Sequence, residues 1–141
     1  MEIKTLGEKV LTQKAKRVAS IDDTTRTLCA SMIKTMLANE GIGLAANQVG
    51  VLKRIIVVLD GDNPKVLINP EITEYSSSNV VMNEGCLSIP GEYLDIERPE
   101  EVVVKYRDTK GKPHIERFSG LTSRVIQHEV DHLDGIVMTD K

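Results

Sequence analysis

Apolar residues recur at Leu28, Cys29, Met32, Ile33, Met36 and Leu37, with spacings of one, three and four. That rhythm predicts a helix with one buried face. Asp22 and Asp23 stand ahead of it as N-cap candidates, and Gly41 follows as a stop. Past the glycine-rich stretch 41–50 the pattern changes. Ile55-Ile-Val-Val-Leu59 has no polar interruption, which predicts a buried strand beginning near Arg54. Asp60 to Pro64 reads as a turn, and Val66 to Ile68 as a short strand ended by Asn69-Pro70. Residues 75–79 read as a loop, and Val80 to Met82 as a strand leading into Glu84-Gly-Cys-Leu-Ser88. Val102 to Tyr106 and Pro113 to Phe118 form a hairpin pattern around the turn Asp108 to Gly111. Ser119 is placed to cap a final helix over Leu121 to Leu133, with Gly135 just beyond it. Leu121, Ile126, Val130 and Leu133 give that helix a broad apolar surface, so it is expected to be well buried. A helix, many short strands and a helix predict an α+β fold, with mostly antiparallel sheets packed around a central C-terminal helix.

The length of 141 residues suits one domain, residues 1–141, with no repeat or linker dividing it. Aromatic residues make up only 3% of the chain, with no Trp and one Phe, so Ile, Val, Leu and Met must fill the core. With 18 basic and 21 acidic residues the formal charge is −3, which gives no electrostatic reason to expect contact with nucleic acid. No apolar run approaches the roughly 18 residues of a membrane span, and Met1 to Val10 lack the apolar core of a secretion signal. Two cysteines, Cys29 and Cys86, make no disulfide framework, and a cytoplasmic setting is expected. Cys29 lies in the first helix stripe and reads as a core residue.

Candidate chemistry concentrates in Gln127-His-Glu-Val-Asp-His132. Two histidines four positions apart on a helix point the same way and can share one metal ion. Glu129, beside the first of them, is placed to handle a proton on a water at that metal. An isolated histidine is more often a hydrogen-bonded core residue, but the complete His-Glu-x-x-His spacing favours metal binding. A third protein ligand is needed. His114 sits at a hairpin start, where surface exposure is expected. Asp134 and Asp140 follow the pair at no familiar spacing. Cys86, in the tight segment 84–88, is the stronger candidate. Gly41-Ile-Gly-Leu-Ala-Ala46 matches a nucleotide-binding glycine pattern, but it follows a helix and precedes a strand, the reverse of what that motif requires. Gly41 and Gly43 are better explained by close approach of an extended main chain.

Three separated pieces, Gly41-Ile-Gly-Leu-Ala-Ala-Asn-Gln48, Glu84-Gly-Cys-Leu-Ser88 and Gln127-His-Glu-Val-Asp-His132, closely resemble the three signature motifs of peptide deformylases, in the same order and with similar spacing. The likeness runs from the Leu6 region to Met138. It implies removal of the N-formyl group from the initiating methionine of nascent polypeptides, with release of formate. It further implies Cys86, His128 and His132 as metal ligands and Glu129 as the catalytic acid and base. Gln48 and the main-chain N–H of Leu87 are implied to polarise the formyl oxygen. The resemblance implies Fe2+ as the native metal, with Zn2+, Ni2+ or Co2+ able to replace it, whereas the ligand types alone indicate only a divalent transition metal.

The substrate is expected to lie beside Gly41, Ile42 and Gly43 and the 84–90 loop. Ile42, Tyr93, Val125, Ile126 and the His128 ring are candidates for the methionine pocket. Glu84 and Arg98 match family positions that could pair and stiffen the Cys86 loop. Gly7 and Thr12 depart from the family pattern, and Tyr93 stands where many relatives carry a basic residue. The chain stops soon after Met138, as in short-tailed, phage-encoded members, so ribosome docking through a C-terminal helix is left open. The rival reading is an ordinary metallopeptidase built on the same His-Glu-x-x-His, in which a thiolate third ligand would be unusual.

Overall fold

The computed structural model describes residues 1–141. Two helices, α1 (Asp23–Ala38) and α2 (Gly120–Leu133), accompany seven strands: β1 (Gly43–Ala45), β2 (Ile55–Asp60), β3 (Asn63–Tyr75), β4 (Asn79–Cys86), β5 (Ile89–Pro99), β6 (Glu101–Arg107) and β7 (Pro113–Ser119). β1-β2-β3-β6-β7, in that order, form an antiparallel five-stranded sheet, and β4 with β5 forms a separate antiparallel pair. This is the expected α+β architecture.

The uninterrupted apolar run in β2 has a simple cause. Ile55, Ile56, Val57 and Val58 are all fully buried, because the sheet is covered on both faces. Ile56 and Val58 pack with Leu67, Val102, Val104 and Phe118 against Val125, Ile126 and Leu133 of α2. Ile55 and Val57 pack with Leu44 and Ile68 against Cys29, Met32 and Met36 of α1. Burying each such side chain contributes about 1.5–3 kcal/mol. A third, smaller cluster, Leu11, Ile89, Ile96, Val137 and Met138, lies under the β4–β5 pair. No helix is long and apolar enough to cross a membrane.

α1 begins as expected, with the Asp22 carboxylate accepting from Thr25 N–H at 3.0 Å. Its stripe is narrower than the sequence suggests: Cys29, Met32 and Met36 are buried, but Leu37 is 48% exposed. The left-handed residue after the helix is Glu40 (φ 55°), not Gly41. α2 is capped differently from expectation, since Ser119 occupies the N-cap position without a side-chain hydrogen bond. Its end is set by Gly135 (φ 76°), where a Cβ would lie 2.6 Å from the Thr12 carbonyl oxygen. Two strand boundaries also differ. β3 runs on through Asn69-Pro70, because Asn69 takes a positive φ of 53° in a bulge and its amide bonds both Val18 N–H (2.8 Å) and Val18 C=O (2.9 Å). β5 was not foreseen. Its inward alternation, Ile96 then Arg98, puts a charge where a strand pattern calls for an apolar residue.

Candidate active site

α2 carries His128, Glu129 and His132, all buried. The end of β4 brings Cys86 to them from the other sheet. The ligand atoms of Cys86, His128 and His132 lie within 4.8 Å of one another. Cys86 Sγ is 3.3 Å from His132 Nε2. The two rings meet edge to face with centroids 5.0 Å apart. His128 Nδ1–H donates to Glu84 Oε1 at 2.8 Å, which in the neutral ring leaves the lone pair on Nε2. Both Nε2 atoms and one sulfur are therefore available to a common cation. His114, the discarded third candidate, instead bonds Asp108 (2.8 Å) and stacks on Tyr106.

Electrostatics drive the two histidines in opposite directions. Burial alone would lower the His128 pKa, but hydrogen bonds with Cys86 and Glu84 and the Glu129 charge push it up to about 10. His132 is depressed to about 3 by burial and by the His128 and Arg98 charges. Glu129 is pushed up to about 7 by burial, with His128 and Arg98 opposing. Its Oε1 is buried without a hydrogen-bond partner, as is His132 Nδ1. A cysteine sulfur, two imidazole nitrogens converging on it and an unpaired carboxylate oxygen suit a divalent transition metal and its water.

Glu84 is the centre of the surrounding network. Arg98 Nε donates to its Oε2 (2.6 Å) and Arg98 Nη2 to its Oε1 (3.0 Å), so the pairing expected from the sequence is made. Arg98 Nη1 reaches on to Asp131 Oδ2 at 2.8 Å. Arg124, which sequence reasoning passed over, also donates to Glu84 Oε2 at 2.7 Å. Burial raises the Glu84 pKa, but bonds from His128, Arg98 and Arg124 outweigh it and hold the carboxyl far below its usual range. A signal for Arg124 was present: it precedes His128 by four positions and so shares its helix face.

A cleft of about 800 Å³ opens onto the site. Gly41, Ile42, Gly43, Cys86, Leu87, Tyr93, Val125, His128 and Glu129 all line it, as the sequence suggested. Ile126 does not. Two positions before His128, it faces the opposite side of α2 and is fully buried in the core. Gln48 is buried and does not line the cleft; its Nε2 is 3.6 Å from Cys86 Sγ and 3.1 Å from Ser88 Oγ, and its Oε1 accepts from Ala45 N–H at 2.9 Å. Leu87 N–H, in the turn between β4 and β5, donates to no group of the chain. Leu121 and the N-terminal residues Met1, Ile3 and Thr5 also line the cleft and were missed. The alternate spacing of the last three marks an extended segment.

The sequence profile described as Polypeptide deformylase matches residues 1–141. The chain belongs to the peptide deformylase family. A peptide deformylase of Picosynechococcus is 55% identical over all of this chain and 78% of its own length, and one of Synechocystis is 46% identical over the same shares. Among solved structures, a peptide deformylase of Synechococcus elongatus in complex with actinonin superposes with a TM-score of 0.96 at 49% identity, covering 99% of this chain and 76% of that one. A probable peptide deformylase of Synechococcus phage S-SSM7 gives a TM-score of 0.94 at 40% identity, over 99% and 97% of the two chains. Peptide deformylases are metal-dependent hydrolases that remove the N-formyl group from nascent chains, and that is the activity of this chain. The ordinary metallopeptidase alternative is not favoured.

Proposed function

We propose that Cys86, His128 and His132 hold one divalent metal, Fe2+ in the native enzyme, and that Glu129, Gln48 and Leu87 carry out deformylation of formyl-methionyl chains in the cytoplasm. The observation that supports this is the convergence of one sulfur and two Nε2 atoms beside an enclosed carboxylate. When bound, the metal supplies an acidified water and positive charge for the formyl oxygen. Glu129 accepts the proton of the attacking water and then delivers it to the departing amine nitrogen. A pKa of about 7 suits a group that must both take and give a proton near neutrality. The Gln48 amide and Leu87 N–H donate to the formyl oxygen as it becomes anionic, and one such donor is worth about 3 kcal/mol of barrier. Collapse of the tetrahedral carbon releases formate and a free α-amino group.

β1 is the edge of the large sheet, paired only with β2; it is buried and its Ala45 N–H is taken by Gln48, so an extended peptide meets it at Gly43, which lines the cleft. Gly43 brings the main chain against Glu129: a Cβ there would lie 2.7 Å from Oε2. A peptide paired at Gly43 would therefore run close to the proposed general base. Ile42, Tyr93, Val125 and the His128 ring enclose the methionine side chain. The reading is tested by anaerobic purification, metal analysis and a formate assay on formyl-Met peptides. Iron in near-stoichiometric amount with formate release supports it. Metal bound elsewhere in a Cys86→Ser variant of unchanged activity would sink it.

A further inference from the structure

Arg124 takes no part in the chemistry above, yet it is only 5% exposed. From α2 it reaches three acceptors. Nη1 donates to Glu84 Oε2 and to the Ile96 carbonyl oxygen, each at 2.7 Å, and Nη2 donates to the Val80 carbonyl oxygen. Val80 and Glu84 belong to β4 and Ile96 to β5, so one helix side chain grips both strands of the hairpin that ends in Cys86.

That grip matters because of how the hairpin is attached. β4 and β5 pair with each other and with no strand of the large sheet. Their apolar underside, Ile89 and Ile96, packs on Leu11, Val137 and Met138, and no α2 residue belongs to that cluster. The distance between Cys86 and the two histidines therefore rests on polar ties from the hairpin to α2. Glu84 to His128, Arg98 to Asp131, Gln127 Nε2 to the Pro99 carbonyl and the three bonds of Arg124 are those ties, and of these Gln127 holds only the far end of β5. Arg98 already pairs Glu84 through two bonds, so Arg124 is not required to find that carboxylate a partner. What Arg124 adds is the pair of main-chain carbonyls. Enclosing a second guanidinium is costly unless its donors are met, which argues for a positional rather than a stabilising benefit.

We propose that Arg124 is a positioning residue for the metal site: it clamps the β4–β5 hairpin onto α2 so that Cys86 Sγ stays in coordinating reach of both histidines. The proposal rests on the three-ligand reading above. It is tested on cobalt-loaded protein, using wild type, Arg124→Met and Arg124→Lys. The readouts are the thiolate-to-cobalt absorption band, the rate of cobalt release to excess chelator, and circular dichroism as a check on folding. Folded Arg124→Met should release cobalt about tenfold faster or more, with a weakened or shifted thiolate band. Arg124→Lys, with one ammonium for three acceptors, should fall between it and wild type. If Arg124→Met does not fold, Arg124→Lys decides on the same two readouts. Wild-type release and a wild-type band in the folded variants overturn the proposal, even where turnover falls. A wild-type protein lacking any thiolate band overturns the Cys86 ligand reading itself, which separates the two failures.

Discussion

Glu129 shows what enclosure does to one side chain. Burial beside the cleft pushes its carboxyl pKa up to about 7, and one oxygen has no partner in the protein. Glu129→Ala should retain metal, because none of the three converging ligand atoms is touched, and lose about 10²–10⁴ of kcat. Metal content and formate release, measured together, check this. A variant with near-normal turnover would remove Glu129 from proton transfer. Gly43 is as sensitive for steric reasons, since a Cβ would lie 2.5 Å from Val125 Cγ1 as well as against Glu129. Gly43→Ala should cost about 1–3 kcal/mol in urea unfolding and displace Glu129, lowering kcat at least about tenfold. At this scale the His-Glu-x-x-His spacing was legible because helix geometry fixes which residues share a face. By the same geometry Ile126 belongs to the core face rather than the pocket, and the burial of Arg124 is not legible because an arginine in a helix usually lies on the surface.

Elements add constraints that no single residue reveals. On the large sheet, Glu116 of β7 accepts from Tyr106 OH of β6 (2.7 Å) and from Lys65 Nζ of β3 (3.0 Å), tying three strands together. Burial raises the Glu116 pKa, but the bonds from Tyr106 and Lys65 outweigh it, so the folded value lies below the ordinary one. A depressed carboxyl stabilises the fold above its unfolded pKa of about 4.3 and loses that contribution as pH falls through the folded value. Glu116→Gln should therefore be less stable than wild type at pH 7, by about 1 kcal/mol or less given its exposure, and the gap should close below about pH 4. Urea midpoints at pH 7 and 3.5 measure it, and a gap that widens in acid contradicts the assignment. Strand patterns predicted β2, β6 and β7 because apolar residues there answer only to the sheet. β5 escaped notice because Arg98 serves Glu84 rather than the core, and β3 was cut short at Pro70 because Asn69 absorbs the bulge through bonds to Val18.

At the scale of the whole molecule, the candidate ligands come from the β4–β5 pair and from α2, which share no apolar cluster and are joined by hydrogen bonds. The large sheet and α2 form one packed unit, whereas the β4–β5 pair rests on its own small cluster. A cation held by Cys86 and two α2 histidines would join those units. Chelation should therefore lower the unfolding temperature, consistent with about 4 kcal/mol for a ligand at a thousand times its Kd. Amide exchange should accelerate first in residues 79–99 and last in β2. Uniform acceleration would show that the hairpin does not depend on the cation. The two-sided cover of the sheet was implicit in the unbroken run of β2, but the split into two sheets was not, because hydrogen-bond partnership leaves no periodic trace in sequence. The free border of β1, three buried residues of which only Gly43 reaches the cleft, has a wider consequence. Main-chain amides are common to every polypeptide, so a chain laid along that border is held without regard to its side chains. On the proposed docking, discrimination is concentrated in the first residue, so one catalyst would serve chains of very different sequence. Proline early in the chain is the exception, since its ring nitrogen has no hydrogen to offer.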